Sequence, residues 1–363
     1  MKKKTVIISG GGTGGHIFPA IAIADALKER HPDLHIEFVG ASDRMEMQRV
    51  PKAGYPITGL WISGIQRSQP WKNILFPFKL ISSLWKSYRI IRKHKPLIAI
   101  GTGGFASGPL LYAAARNGVP TIIQEQNSYP GITNKILGKY AHKICVAFEG
   151  MERWFPKNRI VITGNPIREN LLSANVDQAT ARKNFKLKPE LLTIFVTGGS
   201  LGAKSINQST AQWVRETFDE TKHQLIWQTG STHAKDYLPE FEKKSGIWIS
   251  AFVDDMSSAY RAADIVVARA GASTLSELCA LGKTAILIPS PYVAEDHQRK
   301  NAESLKENGA AEVVDEKNLT EFPTILNELI ANANKRELIA ENALRLGKPQ
   351  ATLHIVEQIE ALL

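Results

Sequence analysis

Cysteine is scarce in this sequence: its 363 residues include only Cys145 and Cys279. Two distant cysteines exclude the class of small secreted domains held by disulfides, and they favour a reducing compartment. The composition also excludes disordered and collagen-like chains, since 43% of the residues are hydrophobic and 22% are charged. At roughly 150 residues per domain, this length predicts two domains, each large enough to build its own core.

Long apolar runs are missing as well. The N-terminal lysines and the apolar residues after them resemble the start of a signal peptide, but this run ends at Gly10, short of the ~7–15 residues that an h-region needs. Residues 96–115 carry no charge. However, the glycines and Pro109 among them fit a strand, a loop and a helix start better than a membrane span. We therefore expect a cytoplasmic protein that associates with a membrane only peripherally.

Acidic residues are absent between Glu46 and Glu125, a stretch that holds 11 of the 45 basic residues. The rest of the chain carries 34 basic and 35 acidic residues, so the net charge of +10 comes from this one block. A uniformly basic chain would indicate nucleic acid, whereas a local basic block indicates one anionic partner and argues against nucleic acid.

Residues 71–95 of this block combine basic side chains with apolar ones. Helical spacing predicts a packed row of Leu80, Leu84, Ser87 and Ile91, with Ile81, Trp85 and Tyr88 close by. One interpretation is a domain helix with a solvated basic face. The other is a membrane-surface site, because the apolar bulk exceeds one stripe and anionic headgroups attract such mixtures. The predicted membrane face consists of Lys72, Ile74, Leu75, Phe76, Phe78, Lys79, Trp85, Lys86 and Arg89.

Short apolar runs alternate with helical patterns along the whole chain, and one of these patterns predicts a helix at Pro19–Arg30. Strands are predicted at 5–9, 36–39, 97–100, 121–124, 143–147 and 159–162, and again at 192–197, 224–228, 248–250, 265–268, 285–288 and 312–314. Such runs are typical of strands covered on both faces. We therefore expect an α/β protein with two doubly wound domains, 1–165 and 166–347, a cleft at the carboxyl edges of their sheets, and a C-terminal helix at about 348–363 that returns to the first domain.

Three glycine-rich turns follow predicted strands, at 10–16, 101–108 and 198–203. Glycine allows close approach of backbone to ligand, and the N-terminus of the following helix attracts phosphate. Three such turns favour a diphosphate ligand. Gly10, Gly12 and Gly15 also fit a dinucleotide fingerprint, but the acidic residue that should end the second strand is misplaced: Glu37 lies inside that strand and Asp43 beyond it.

The most specific segment of the second half is 263–277, where a buried strand reaches a small-residue turn. Ser273 or Thr274 is expected to cap the next helix. Glu277 lies about one turn further on, where its carboxylate either accepts bonds from two sugar hydroxyls or merely closes the helix start as a capping box. A polar loop at 289–302 contains Gln298 and enters another predicted helix.

Seven motifs, in order, resemble the MurG family of GT-B glycosyltransferases, which complete the lipid-linked peptidoglycan disaccharide. They are Gly11–His16, Gly101–Pro109, Gln124–Asn127, Gly164–Arg168, Gly198–Ala203, Phe252–Met256 and Arg269–Glu277. The sequence departs from the family at Leu201, where Gln is frequent, at Gln124, where His is frequent, and at His297-Gln298, where a Gln pair is frequent.

The resemblance implies a GT-B fold, UDP-N-acetylglucosamine as donor, and a polyprenyl-diphosphate-linked N-acetylmuramoyl peptide as acceptor. The implied donor-binding residues are Thr13, Gly14, Gly15, Asn127, Arg168, Ser200, Val253, Ala270, Gly271, Ala272, Ser273, Thr274, Leu275, Glu277 and Gln298. The implied acceptor-diphosphate residues are Gly14, Gly15, Gly103 and Gly104. His16 is the candidate base, because histidine exchanges protons near neutral pH, with Glu125 as support; the alternative is that His16 only caps or orients.

Many glycosyltransferases hold a divalent metal with an Asp-x-Asp motif, and this sequence contains none. Backbone N–H groups at helix starts stabilise developing negative charge by the same electrostatic route. We therefore expect chemistry without a protein-bound metal and without a cofactor. Three alternatives stay open at this point: a glycolipid glycosyltransferase acting on diacylglycerol, a UDP-N-acetylglucosamine epimerase of the same fold, and a non-catalytic membrane adaptor.

Overall fold

The computed structural model describes residues 4–64, 70–167, 171–172, 176–293 and 296–363. The chain divides into two compact units. Unit 1 comprises Met1–Ile167 together with Pro349–Leu363, and unit 2 comprises Arg168–Lys348. The last helix of the chain therefore belongs to unit 1.

Unit 1 is built on a parallel sheet. Its strands are β1 (Thr5–Ser9), β2 (His35–Ala41), β3 (Ile57–Leu60), β4 (Ile98–Gly101), β5 (Thr121–Glu125), β6 (Lys143–Val146) and β7 (Ile160–Ile162). Its helices begin with α1 (Gly14–Arg30), α2 (Glu46–Lys52), α3 (Phe76–His94), α4 (Ser107–Arg116) and α5 (Ile132–Leu137). The strand order is β3-β2-β1-β4-β5-β6-β7.

Unit 2 repeats this architecture. Its strands are β8 (Leu192–Thr197), β9 (His223–Gln228), β10 (Ile247–Ser250), β11 (Ile265–Ala268), β12 (Thr284–Leu287) and β13 (Glu312–Val313). Its helices are α6 (Gln178–Asn184), α7 (Lys204–Glu216), α8 (Ala234–Phe241), α9 (Met256–Ala262), α10 (Ala272–Ala280), α11 (His297–Glu307), α12 (Phe322–Ala331) and α13 (Ala333–Leu346), and the chain ends with α14 (Ala351–Glu360). The parallel sheet has the order β10-β9-β8-β11-β12-β13. Two doubly wound domains are thus confirmed.

The strands have no polar face because helices cover both sides of each sheet. In β1, Val6 and Ile8 pack in the cluster that contains Ile355 of α14, whereas Ile7 packs in the cluster that contains Leu110 of α4. Successive side chains of a strand point to opposite faces, so a strand covered on both faces must be apolar throughout. This explains why the apolar runs located the strands.

Two elements differ from the sequence prediction. Strand β3 was not predicted, because its Ile-Thr-Gly-Leu sequence is short, contains glycine and is half-buried at the sheet edge. Helix α1 begins at Gly14 and not at Pro19, which lies inside it. Proline lacks the N–H that would bond to the carbonyl four residues earlier, so the helix tolerates Pro19 with the loss of one bond, to Gly15.

Candidate active site

The glycine-rich turns lie at the reversal points of the two sheets. In unit 1 the strand order reverses between β1 and β4, and the loops at 10–13 and 102–106 follow these strands. In unit 2 it reverses between β8 and β11, which the loops at 198–203 and 269–271 follow. Doubly wound sheets bind ligands at this point, outside the carboxyl ends of the strands. Each unit therefore has one candidate ligand site.

In unit 1 the two loops at the reversal point pack backbone to backbone. Gly103 and Gly104 have φ angles of +96° and +82°. A Cβ atom on Gly104 would lie 2.1 Å from the carbonyl oxygen of Gly11, and one on Gly103 would lie 2.8 Å from Nδ1 of His16. Packing of the loops, in addition to any ligand, therefore requires glycine here.

His16 lies in the first turn of α1, next to Thr13, Gly14 and Gly15, and its side chain is half-buried. Its Nδ1 atom is 3.0 Å from the carbonyl oxygen of Thr102 and 2.9 Å from Oε1 of Gln126. The hydroxyl of Thr102 donates to the backbone carbonyl of His16 at 2.7 Å. The imidazole is thereby fixed by the loop after β4 and by the end of β5.

Glu125 supports a loop and is turned away from this imidazole. The buried carboxylate accepts hydrogen bonds from the N–H groups of Asn127 and Gly131, at 3.0 and 3.1 Å, and from the side chains of Asn127 and Asn134, at 3.2 and 2.9 Å. Four donors saturate a carboxylate well. The hydrogen bonds of Glu125 therefore stabilise the loop at 126–131, which carries Asn127.

Glu46 is a site residue that the sequence analysis did not identify. It is fully buried, accepts the N–H of Gly12 at 3.1 Å and that of Ala41 at 2.9 Å, and would meet a Cβ atom on Gly11 at 2.1 Å. Its carboxylate thus anchors the first glycine loop. A lone acidic residue at a helix start gave no signal for this, because its partners are backbone groups brought there by the fold.

In unit 2 the turn after β11 places Glu277 at the carboxyl edge of the sheet. Glu277 is 7% exposed, and the hydroxyl of Tyr260 donates to its Oε2 at 3.1 Å. The capping-box alternative is wrong: the N-cap of α10 is Gly271, and Glu277 is the sixth residue of the helix. The expectation that Ser273 or Thr274 caps α10 is also wrong, because the N-cap position makes no side-chain bond and the hydroxyl of Ser273 is buried without a partner in the described residues.

Gln228 ties the other loops of this edge together. Its Nε2 donates to Thr197 Oγ1 and to the Gly199 carbonyl, both at 3.0 Å, and its Oε1 accepts the N–H of Val253 at 2.9 Å. Ser200 is exposed on the same glycine loop. The loop that carries Val253 and the loop that carries Ser200 are therefore held by one buried amide.

Two further contacts shape the edge near β11 and β12. Gln298, in the first turn of α11, accepts the N–H of Ser290 through Oε1 at 2.9 Å. Arg269, just before the Ala270–Gly271 turn, forms a bidentate ion pair with Glu316 at 2.9 and 3.2 Å. Both contacts fix loops around the turn that contains Ala270, Gly271, Ala272, Ser273, Thr274 and Leu275. Arg168 lies outside the described residues.

Neither cysteine belongs to these sites. Both thiols are buried and free, and burial raises the pKa of Cys145 and that of Cys279 to about 12. A thiol with such a pKa stays protonated near neutral pH and is a poor nucleophile. The described residues contain no cluster of three or more metal-ligating side chains.

Helix α3 carries an exposed apolar row on unit 1. Ile74, just before the helix, and Phe78, Ile81 and Trp85 are 77%, 65%, 66% and 62% exposed. Ile81 therefore points outward, away from the packed row in which Leu80 and Ile91 lie. Phe76, predicted to belong to the membrane face, is half-buried and packs against the core.

Basic side chains border this row. Arg89 lies over the Trp85 ring, 4.6 Å from its centroid, and Lys79 lies 5.8 Å from that of Trp61. Lys86 donates to the carbonyl of Gly59 at 2.6 Å. The side chain of Lys72 is outside the described residues, and Leu75 is exposed. None of the helices in the described part of the chain has the length and hydropathy needed to span a bilayer.

Comparison with known proteins identifies the family. Residues 6–146 match the N-terminal domain of glycosyltransferase family 28, and residues 193–357 match its C-terminal domain. A relative from Flavobacterium psychrophilum, named UDP-N-acetylglucosamine–N-acetylmuramyl-(pentapeptide) pyrophosphoryl-undecaprenol N-acetylglucosamine transferase, is 49% identical over 99% of this chain and 98% of its own. A relative of the same name from Christiangramia forsetii is 50% identical over 99% of this chain and 97% of its own. The chain belongs to the MurG family.

Solved structures agree with this assignment. The crystal structure of Acinetobacter baumannii MurG matches with a TM-score of 0.77 and 29% identity, over 99% of both chains. A UDP-N-acetylglucosamine 2-epimerase from Neisseria meningitidis matches with a TM-score of 0.67 but 14% identity, over 98% of this chain and 100% of its own; that likeness concerns the fold alone. The GT-B fold and the expected hexosyltransferase activity are thus confirmed.

Proposed function

We propose that this chain transfers N-acetylglucosamine from UDP-N-acetylglucosamine to the 4-hydroxyl of a polyprenyl-diphosphate-linked N-acetylmuramoyl pentapeptide, with inversion at the sugar. The observation that carries this reaction is the match to transferases of that name at 49–50% identity over nearly the whole chain. This transfer converts lipid I to lipid II in peptidoglycan synthesis. No observation favours the epimerase, diacylglycerol or adaptor alternatives.

His16 is the base in this proposal. Both contacts of Nδ1 are with oxygen atoms that accept hydrogen bonds, so Nδ1 carries the proton and Nε2 has the lone pair in the neutral ring. Nε2 then removes the proton of the acceptor hydroxyl while the hydroxyl oxygen attacks the anomeric carbon. The proton ends on the imidazole, the C–O bond to UDP breaks, and UDP leaves as the anion.

Backbone N–H groups stabilise the diphosphate charge that develops on the leaving group. The N-terminus of α10, where Ser273 and Thr274 lie in the first turn, is the structural support for this role. Ser200 and its glycine loop complete the donor diphosphate site. We propose that this electrostatic stabilisation operates without a metal or other cofactor, so that chelators leave the rate unchanged.

Glu277, held by Tyr260, binds the ribose hydroxyls of the donor. Since the N–H of Val253 already bonds to Gln228, its carbonyl is the backbone group that accepts from the uracil ring. The Oε1 atom of Gln298 is likewise used by Ser290, which leaves its amide hydrogens for the sugar hydroxyls. For Val253 and Gln298, the atoms assigned to the donor are those that do not already bond within the protein.

We propose that unit 1 binds an anionic membrane surface through the exposed row on α3, at the cytoplasmic face of the cell membrane. The polyprenyl tail of the acceptor stays in the bilayer, so the unit that binds the acceptor diphosphate must approach the lipid. Apolar side chains exposed by 62–77% beside Arg89, in a helix without acidic residues, support this placement. In this proposal the protein binds its two substrates and a lipid surface, and it does not bind nucleic acid.

The deciding experiment measures UDP release from UDP-N-acetylglucosamine, with and without the lipid-linked N-acetylmuramoyl pentapeptide. We expect release only with the acceptor, and a kcat about 10²–10⁴-fold lower in His16→Ala. Donor affinity serves as the folding control for that variant. Formation of UDP-N-acetylmannosamine without acceptor would identify an epimerase instead, and an active His16→Ala variant would exclude His16 as the base.

A further inference from the structure

We propose that Gln126 is a positioning residue for the transfer. Its side-chain amide, held in one orientation by Gln124 and Asn165, keeps the proton of His16 on Nδ1 and thereby exposes the basic lone pair on Nε2. The inference rests on the proposed function, in which His16 is the base. Gln124, Gln126 and Asn165 lie in two of the family motifs, but no role for them follows from the sequence.

The contacts of His16 define where its proton lies. A main-chain carbonyl oxygen only accepts, and that of Thr102 is 3.0 Å from Nδ1. The second neighbour of Nδ1 is Oε1 of Gln126, at 2.9 Å, which also only accepts. With two acceptors in contact, the neutral ring is stable as the Nδ1–H tautomer and not as the Nε2–H tautomer.

The orientation of the Gln126 amide is itself determined by its other contacts. The Nε2 of Gln126 donates to the carbonyl of Thr102 at 2.7 Å, to the carbonyl of Gln124 at 3.2 Å and to Oε1 of Gln124. A flipped amide would place its oxygen against these three acceptors and its hydrogens against Nδ1–H. The flipped state therefore loses every bond, and Oε1 must face His16.

The next two residues give the chain of bonds its direction. Nε2 of Gln124 donates to Oδ1 of Asn165 at 2.8 Å, and Nδ2 of Asn165 donates to the carbonyl of Gln126 at 3.0 Å. Gln124, Gln126 and Asn165 are 0%, 2% and 1% exposed. Because water does not reach these amides, a lost partner is not replaced. The side-chain bonds all donate in one direction, from His16 through Gln126 and Gln124 to Asn165.

A purely structural role predicts a different result from a positioning role. The amides also join the ends of β4, β5 and β7, so any substitution will lower stability. Only the positioning role predicts a change in the protonation of one imidazole. The experiment must therefore read out the tautomer and the pH profile as well as the rate.

The test compares Gln126→Met, which has a similar size but no acceptor, with Gln126→Glu, which keeps an acceptor and adds negative charge. For Gln126→Met we expect kcat to fall about 10–10³-fold, less than the ~10⁴-fold effect of a wrong tautomer in a serine protease because Thr102 still accepts. We expect the acidic limb of the kcat/KM profile to move to lower pH in Gln126→Met and to higher pH in Gln126→Glu, which stabilises the imidazolium. Donor affinity should not change.

NMR of the protein with ¹⁵N-labelled histidine measures the tautomer directly, and the signal of His16 is the one that is lost in His16→Ala. Gln224→Met is the matched control, because Gln224 is also a buried strand amide that bonds to backbone, in unit 2. Unchanged tautomer and pH limbs in a folded Gln126→Met, or limbs that move in the same direction in both variants, would overturn the proposal. If neither variant folds, the tautomer of His16 in the wild type decides, because an imidazole protonated on Nε2 would overturn the proposal. An active His16→Ala would instead exclude His16 as the base, the part of the proposed function on which this inference rests, while the NMR result would still report on Gln126.

Discussion

At the residue scale, the site of unit 1 depends on close contacts that only particular side chains allow. The imidazole of His16 occupies the space that a side chain at Gly103 would need. In unit 2, the Glu277 carboxylate accepts a hydrogen bond from the Tyr260 hydroxyl. The motifs indicated His16, Gly103 and Glu277. They contained Gln126 without giving it a role and did not include Tyr260 or Glu46, because residues that hold a functional group are ordinary buried polar residues when seen in sequence alone.

Gly103→Ala should displace the imidazole. A Cβ atom would lie 2.8 Å from Nδ1, and the φ of +96° disfavours alanine in any case. A displacement approaching 1 Å costs about 10²-fold in rate, so we expect kcat to fall by roughly that factor. The control is Gly118→Ala, where φ is +73° but the Cβ atom has open space. Equal kcat losses in the two variants would contradict the contact argument.

Glu277→Gln should weaken donor binding through the ribose. The lost charge-assisted bonds are worth about 1–3 kcal/mol, or roughly 5- to 150-fold in the Kd for UDP, and Tyr260→Phe should cause a smaller loss in the same direction. Calorimetry with UDP and with its 2′,3′-dideoxy analogue forms a double-mutant cycle. If Glu277→Gln weakens both ligands equally, its carboxylate does not bind the ribose.

At the element scale, helix α3 shows how one segment serves two surfaces. Its buried side includes Ser83, Ser87, Ile90 and Ile91, and its exposed side is apolar near the N-terminus and basic near the C-terminus. A period of 3.6 residues predicted the packed row that contains Leu80, Ser87 and Ile91, but not that Phe76 packs inward while Ile81 faces outward. That choice depends on the packing of α3 against α4.

Removing the apolar row should detach unit 1 from lipid. We expect Phe78→Ser/Trp85→Ser to lower partitioning onto phosphatidylglycerol vesicles by at least about 10-fold, since each buried side chain contributes up to ~1.5–3 kcal/mol, and binding of the wild type to fall with salt. Leu338→Ser/Leu344→Ser is the matched control, because these unit 2 residues are 56% and 57% exposed. The placement is wrong if both double variants co-sediment with vesicles as the wild type does.

Strand β9 should make unit 2 sensitive to acid. His223 is buried between Trp213 and Phe218, and its Nε2 accepts the N–H of Asp219 at 3.2 Å. Burial lowers the pKa of His223 below its ordinary value of 6.5, against the opposing charge of Asp219. As the pH falls below 6.5, His223 takes up a proton in the unfolded chain before it does so in the folded chain. The contribution of neutral His223 to the free energy of unfolding is therefore complete above pH 6.5 and is lost as the pH falls.

His223→Gln keeps an acceptor for Asp219 but does not titrate. We expect its free energy of unfolding to decrease less than that of the wild type between pH 7 and pH 5, as measured by denaturant unfolding followed through tryptophan fluorescence. His354→Gln in unit 1 controls for the loss of a histidine elsewhere. Parallel pH dependences of wild type and His223→Gln would show that His223 is not the acid-sensitive group.

At the scale of the whole molecule, unit 1 is completed by the end of the chain. Ile355, Val356 and Ile359 of α14 are fully buried against α1 and β1, and Glu360 bonds to Arg30 and His31 at 2.9 and 2.7 Å. The last helix therefore contributes core side chains to a domain whose other residues end at Ile167. A C-terminal helix that returns to the first domain was expected from the sequence, and the buried side chains of α14 lie in the core of unit 1.

Ile359→Ala should destabilise unit 1 selectively. A buried Ile→Ala change costs about 2–5 kcal/mol, whereas Leu353→Ala in the same helix, at a position that is 45% exposed, should change stability by about 0.5 kcal/mol or less. Hydrogen exchange read by mass spectrometry resolves the units, and peptides of β8 and β11 should keep their protection. Equal loss of protection in both units would show that they unfold together.

The sequence by itself determined every strand of the two sheets except β3, the two-domain α/β fold and the glycine turns, because strands buried on both faces must be apolar and tight turns need glycine. It also determined the family, through ordered motifs. Only the tertiary structure decided that β3 pairs at the sheet edge, that Phe76 packs inward, that Glu277 is not a cap, and that Gln126, held by Gln124 and Asn165, contacts His16. Those outcomes depend on contacts between residues that are distant in the chain, and local periodicity and turn chemistry carry no information about such contacts.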